Sequence, residues 1–165
     1  MIKKFLTVLT LLFLAFGYSN ATNVAYVDME KVMNQSAKGK KYKAELDAKL
    51  KYYQNKAKEL QNKIASLQSQ LNSSALNQKA KEDKMKELRE TARQLQNLEI
   101  QANEELAKMK AEAEKKMVSD IKAIAQKIAK DKNLDLILYG GLISGVLYAD
   151  KKLDITDEVL KEYNK

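Results

Sequence analysis

The 165-residue chain contains no Cys, no Pro, no His and no Trp, and only five Gly. Each absence excludes something. Without Cys there is no disulfide framework, no thiol nucleophile and no structural zinc of the usual kind. Without His the commonest general base and metal ligand is missing. Without Pro, long helices meet no obligatory break. Aromatic residues make up only 7%, whereas 32% are charged, a balance that favours extended helices over a compact mixed core. Gly140, Gly141 and Gly145 follow no strand-to-helix phosphate pattern. Carboxylates adjacent in sequence, such as Glu82 and Asp83, do not face each other on a helix. No catalytic residue, metal site or cofactor is therefore expected, and the chain is not read as an enzyme.

One long apolar run is present, and it lies at the start. Residues 1–21 comprise a basic opening (MIKK), a twelve-residue apolar stretch (FLTVLTLLFLAF) and small residues at Ser19 and Ala21. This is the three-part pattern of a cleaved secretory signal, with the cut expected after Ala21. The run is short for a transmembrane helix, which needs about 20 apolar residues, and a membrane anchor is the alternative. Removing it leaves 28 basic and 22 acidic residues, and so a net charge of +6. Most of that excess sits in residues 38–71, where nine Lys face three acids. Basic character often signals nucleic acid. Export excludes that partner and leaves anionic lipid surfaces or acidic proteins.

From Leu46 the apolar residues fall at Leu50, Tyr53, Ala57, Leu60, Ile64, Leu67 and Leu71, in unbroken steps of four and three. That is a heptad seam. Asn72, Ser73 and Ser74 interrupt it, and a second seam runs through Met85, Leu88, Ala92, Leu95, Glu99, Ala102, Leu106, Met109 and Ala113. Two seams joined by residues that compete with helix predict an antiparallel hairpin with its tip near 72–75. A single helix continuing through Ser73 is the alternative. The expected fold places Leu60 opposite Leu88, Tyr53 opposite Leu95 and Leu46 opposite Ala102. The 4-4 step Ala113–Met117–Ile121 is a stutter, expected where the second helix leaves its partner.

Little lies outside the hairpin. Residues 23–28 (NVAYVD) alternate as a strand, and Asp28 is placed to cap a short helix. Residues 134–139 (LDLILY) and 145–150 (GVLYAD) read as a strand pair, and a closing helix is expected with Thr156 as its N-cap and Ile155 and Leu160 as a hydrophobic staple. Three strands and two short helices barely bury a core. The expectation is an α+β, mostly α chain: a signal (1–21), a small body (22–39 and 131–165) and a helical hairpin arm (40–130). The bodies of several chains are expected to share one core, with Val24, Tyr26, Leu136, Leu138, Val146 and Tyr148 as its residues.

On the arm, Lys49, Lys56 and Lys63 repeat at seven, as do Lys79, Lys86 and Arg93. Such stripes suit electrostatic capture of an acidic, unfolded chain, or simply keep the arm solvated. Tyr42 and Tyr52 lie off the strict seam and are expected to offer exposed rings. Met85, Met109 and Met117 suit an adaptable surface, or plain core. The short strand VAYVDMEKVM, the basic arm, and the terminal DKNLDLILYGGLISGVLYADKKLDITDEVLKEYNK resemble the Skp/OmpH family of periplasmic chaperones over essentially the whole exported chain. The resemblance implies a homotrimer with a barrel-like body and three arms around a cavity. It further implies ATP-independent holding of unfolded outer-membrane β-barrel proteins in the periplasm. A client-free envelope spacer, or a protein that binds anionic lipid or lipopolysaccharide, are the rival readings.

Overall fold

The computed structural model describes residues 22–73, 76–140 and 146–165. The expected signal and its cut at Ala21 lie outside them, as do Ser74, Ala75, Leu142 and Ile143. Strand β1 (Val24–Asp28) leads into helix α1 (Met29–Gln35). The Asp28 carboxylate caps α1 as expected, accepting from the Lys31 N–H at 2.8 Å. Ser36 ends α1 and begins α2 (Ala37–Leu71), its buried Oγ accepting from the Gly39 N–H. Gly39 is glycine because the helices touch there: a Cβ would stand 1.6 Å from the Met33 carbonyl oxygen. Helix α3 (Gln78–Lys132) returns, β2 (Leu136–Gly140) follows, and a 3-10 turn (Lys151–Leu153) precedes α4 (Thr156–Tyr163).

Helices of 35 and 55 residues span about 52 and 82 Å at 1.5 Å per residue. They are two helices, not one. Asn72 ends α2, and Asn77 caps α3 by accepting from the Ala80 N–H. Asn133 ends α3 in the left-handed region (φ 53°), a conformation Asn tolerates, and the Leu134 N–H returns to the Ala129 carbonyl.

The strands pair differently from expectation. β1 and β2 are parallel, in the register Val24–Leu136 to Asp28–Gly140, and the arm is the crossover between them. Residues 146–150 form no strand. The third position beside β1 is taken by Asp154, bridged to Tyr26, with the Ile155 N–H donating to the Tyr26 carbonyl. A parallel pair needs a long crossover, and the sequence pattern of two adjacent apolar runs gave no sign that it was the arm.

α4 also starts differently. Thr156 is its first residue rather than its cap, and the Asp154 carboxylate accepts from the Thr156 N–H. The Thr156 hydroxyl, almost wholly buried, instead accepts from the Asp28 N–H at 2.8 Å. It serves an N–H at the close of β1 rather than one at its own helix end. Ile155 and Leu160, the expected staple pair, both pack on the core.

The core gathers Val27, Val32, Met117, Ile121, Ile128, Val159 and Tyr163 from β1, α1, α3 and α4. The stutter residues Met117 and Ile121 are thus where α3 turns its face to the body. Around the core, Lys31–Asp157, Lys132–Glu158 and Lys127–Glu162 join α4 to α1 and α3 at 2.7, 2.8 and 3.2 Å. Tyr163 is buried with Lys38 Nζ 4.5 Å above its ring, and burial pushes its hydroxyl up to about 12.

Candidate functional site: arm surface and open sheet face

Two surfaces stand out. The first is the sheet. Along a strand successive side chains alternate faces. Ala25 and Val27 turn to the helices and are buried, and Ile137 packs with them. Val24, Tyr26, Leu136 and Leu138, paired by register, share the opposite face. Among the described residues that face is only partly covered: Val24 and Tyr26 are half-buried, the latter beside Val146 and Tyr148, while Leu136 and Leu138 are 47% and 40% exposed. The Tyr26 ring lies over Gly140, where a Cβ would stand 1.8 Å from its hydroxyl oxygen. Val146 is half-buried and Tyr148 82% exposed on the segment nearby. Six residues expected to meet other copies therefore include four on one open apolar face.

The second surface is the arm. Its seam on α2 is the expected one, with Tyr53 and Leu67 buried. On α3 the seam passes through Thr91 and Leu98 rather than Ala92 and Glu99, both of which are exposed. Thr91 is accepted in a buried slot because its hydroxyl donates to the Glu87 carbonyl one turn back. Glu99 is then no longer a charge in the seam. The helices also meet in another register. Leu46 lies beside Met109 and Ala113, and Leu60 beside Leu98. Those contacts sit about one heptad or more further along α3 than a fold at 72–75 requires.

Polar contacts across the arm have specific stations. Lys63 pairs with Glu87 at 2.8 Å and Lys38 with Asp120 at 3.2 Å. Lys49 pairs with Glu105 at 2.6 Å, and the Tyr53 hydroxyl donates to the other oxygen of the same carboxylate. Those donors hold the Glu105 carboxyl below its ordinary value, Lys49 contributing most; bonding to Lys63 lowers Glu87 likewise. Glu105 was missed in the sequence. A signal existed: Tyr53 occupies a seam position, and a tyrosine hydroxyl carried to the edge of the seam seeks an acceptor from the facing helix.

The expected client-facing residues divide accordingly. Lys49 and Lys63 are engaged across the hairpin, so that stripe is partly neutralised. Lys56 is exposed, with its Nζ 4.7 Å from the Tyr52 ring, which is 46% exposed. Lys79, Lys86 and Arg93 stand exposed on α3. Tyr42 is the correction: it is half-buried and packs against the body core, because α2 is still in contact with α1 and α3 at that height. Met85 is 47% exposed, Met109 half-buried and Met117 buried. Among the described residues no helix is long and apolar enough to cross a membrane.

Comparison with known proteins adds to these surfaces. The profile of the OmpH-like outer membrane protein family matches residues 23–163. An uncharacterized protein of Aquifex aeolicus strain VF5 is 37% identical over 163 residues, covering 99% of this chain and 97% of its own. The crystal structure of an OmpH-like protein from Caulobacter crescentus CB15 superposes with a TM-score of 0.77, covering 87% of this chain and 85% of that one. At 16% identity that likeness is one of fold.

Proposed function

The chain belongs to the OmpH-like outer membrane protein family, and from that premise we propose that it is an ATP-independent holdase for unfolded outer-membrane β-barrel proteins. It acts in the periplasm after loss of residues 1–21, as a homo-oligomer and, by the family resemblance, a trimer. The observation that carries this reading is the open apolar sheet face at the root of a long, basic arm. A face of Val24, Tyr26, Leu136 and Leu138 left in water is costly, and burying it against copies of itself removes that cost. Assembly through that face roots several arms on one base, leaving a space between them.

Within that space no chemistry is required. A holdase keeps an aggregating chain from its neighbours while gripping each segment weakly. Lys79, Lys86 and Arg93 supply long-range attraction for acidic segments. Tyr52 and Met85, both about half exposed, supply apolar contact that adapts to many sequences.

The test is direct. The chain from Thr22 is purified, its mass in solution is measured, and a urea-unfolded β-barrel protein is diluted into it. The expected result is a multimer that suppresses light scattering at near one assembly per client. An intact multimer with no suppression would point instead to an envelope spacer. Vesicle binding that disappears at high salt, with no client rescued, would point to a lipid-surface role.

A further inference from the structure

The arm is less tightly packed than its heptad pattern suggests. Away from the body its buried side chains, among the described residues, are Tyr53, Leu67 and Thr91. The seam residue Leu50 is 42% exposed. Two recesses open between the helices. One, of about 480 Å³, lies at Tyr42, Leu46, Met109 and Ala113. The other, of about 540 Å³, lies at Leu60 and Leu98. Ala113, a small residue at a seam position, borders the first recess, and the second is walled mostly by the long polar side chains around Leu60 and Leu98.

Between these two recesses stands the Glu105 station. One carboxylate receives both Lys49 Nζ, at 2.6 Å, and the Tyr53 hydroxyl. Lys49 is held in turn 5.5 Å from the centroids of both the Tyr52 and the Tyr53 ring, and those rings meet edge to face at 5.4 Å. Four side chains from two helices are thus mutually constrained. The cross-arm pair Lys63–Glu87 lacks the tyrosine contacts and is the more open of the two, at 50% and 45% exposed against 32% and 37% for Lys49 and Glu105; the more exposed such a pair is, the less it contributes.

We infer that Tyr53, Lys49 and Glu105 form a clasp that holds an underpacked arm shut at mid-length. With the clasp intact the two helices form one stiff rod. With it broken, the weakly filled seam on either side lets them separate, and Leu46, Leu60 and Leu98 become accessible between them. The arm is thereby a two-state element whose balance rests on a polar contact and not on its leucines.

The absence of Cys makes the test clean. Nitroxide labels are placed through Glu59→Cys and Asn97→Cys, which line the same recess. Labelled chain is diluted into unlabelled chain, so that electron–electron resonance reads distances within one chain. The expected result is a narrow distribution that broadens at least twofold in Tyr53→Phe/Glu105→Gln and stays narrow in Lys63→Gln. A distribution unchanged by the first variant, or broadened equally by the second, overturns the clasp. If Tyr53→Phe/Glu105→Gln loses its helical circular dichroism, the reversed pair decides. Glu105→Lys alone should broaden the distribution, and adding Lys49→Glu should narrow it again. Failure to narrow overturns the inference.

Discussion

Thr156 offers a sharp test of how the small body is held together. Its hydroxyl is the acceptor for the Asp28 N–H at 2.8 Å, and the side chain is 1% exposed. Together with the bond from the Ile155 N–H to the Tyr26 carbonyl, this bond joins β1 to the start of α4. Thr156→Val keeps the shape and removes the acceptor. The Asp28 N–H is then left in a site that water does not readily reach, at a cost of about 1–3 kcal/mol. Thr156→Ser keeps the acceptor and removes one methyl group, worth about 0.8 kcal/mol of transfer free energy. Valine, the more apolar replacement, should therefore be the more harmful one. For a chain of this size each kcal/mol moves the midpoint by about 3 °C. The measurement is urea and thermal unfolding by circular dichroism at one fixed protein concentration, because assembly makes apparent stability concentration-dependent. A valine variant within about 0.3 kcal/mol of the unaltered chain, or one more stable than the serine variant, would refute the reasoning: the site would then be governed by packing and not by the hydrogen bond.

Replacing Leu138 by Lys puts a charge on the open sheet face without disturbing the chain's own core; light scattering should show the multimer falling to single chains at micromolar concentration with its helical signal retained, and an unchanged mass would show that this face is not the interface. Exchanging Lys79, Lys86 and Arg93 for Gln should slow client capture several-fold at low salt and flatten its salt dependence, checked by stopped-flow mixing; this stripe is the cleaner probe, since Lys49 and Lys63 are occupied by Glu105 and Glu87. Glu105 has a folded-state value below its unfolded one, chiefly through the Lys49 bond and then the Tyr53 bond. The stability it confers is therefore fully present above the unfolded carboxylate value of about 4.3 and is lost as pH falls through the lower folded value. The difference in urea midpoint between the unaltered chain and Glu105→Gln should hold steady from pH 7 to 5 and shrink below about 4; a difference that persists undiminished at pH 3 would show that the carboxylate charge is not its source.

Much of this molecule is local and therefore legible in one dimension. Proline-free heptads specify long helices wherever they fold. Asn and Ser after Leu71 mark the turn, and Asp28 caps α1 because its acceptor lies three residues from the N–H it serves. The apolar excess of residues 134–148 announces a surface that the chain does not cover by itself, and Leu136 and Leu138 remain open as that excess suggests. The basic face of the arm follows directly from composition.

What depended on tertiary structure is everything that needed a distant partner. A heptad repeat fits its neighbour equally well after a slip of seven residues, so leucines alone left the arm's register open. The polar stations distinguish the two: one heptad toward the tip, Leu98, Ala80 and Ala113 would stand where Glu105, Glu87 and Asp120 now receive Tyr53 with Lys49, Lys63 and Lys38. The strand pairing was equally hidden, because β1 and β2 are joined by the whole arm. Thr156 left its helix end for an N–H 128 residues away. Sequence periodicity reports which face of an element is apolar; only the assembled chain determines which buried donor finds which acceptor.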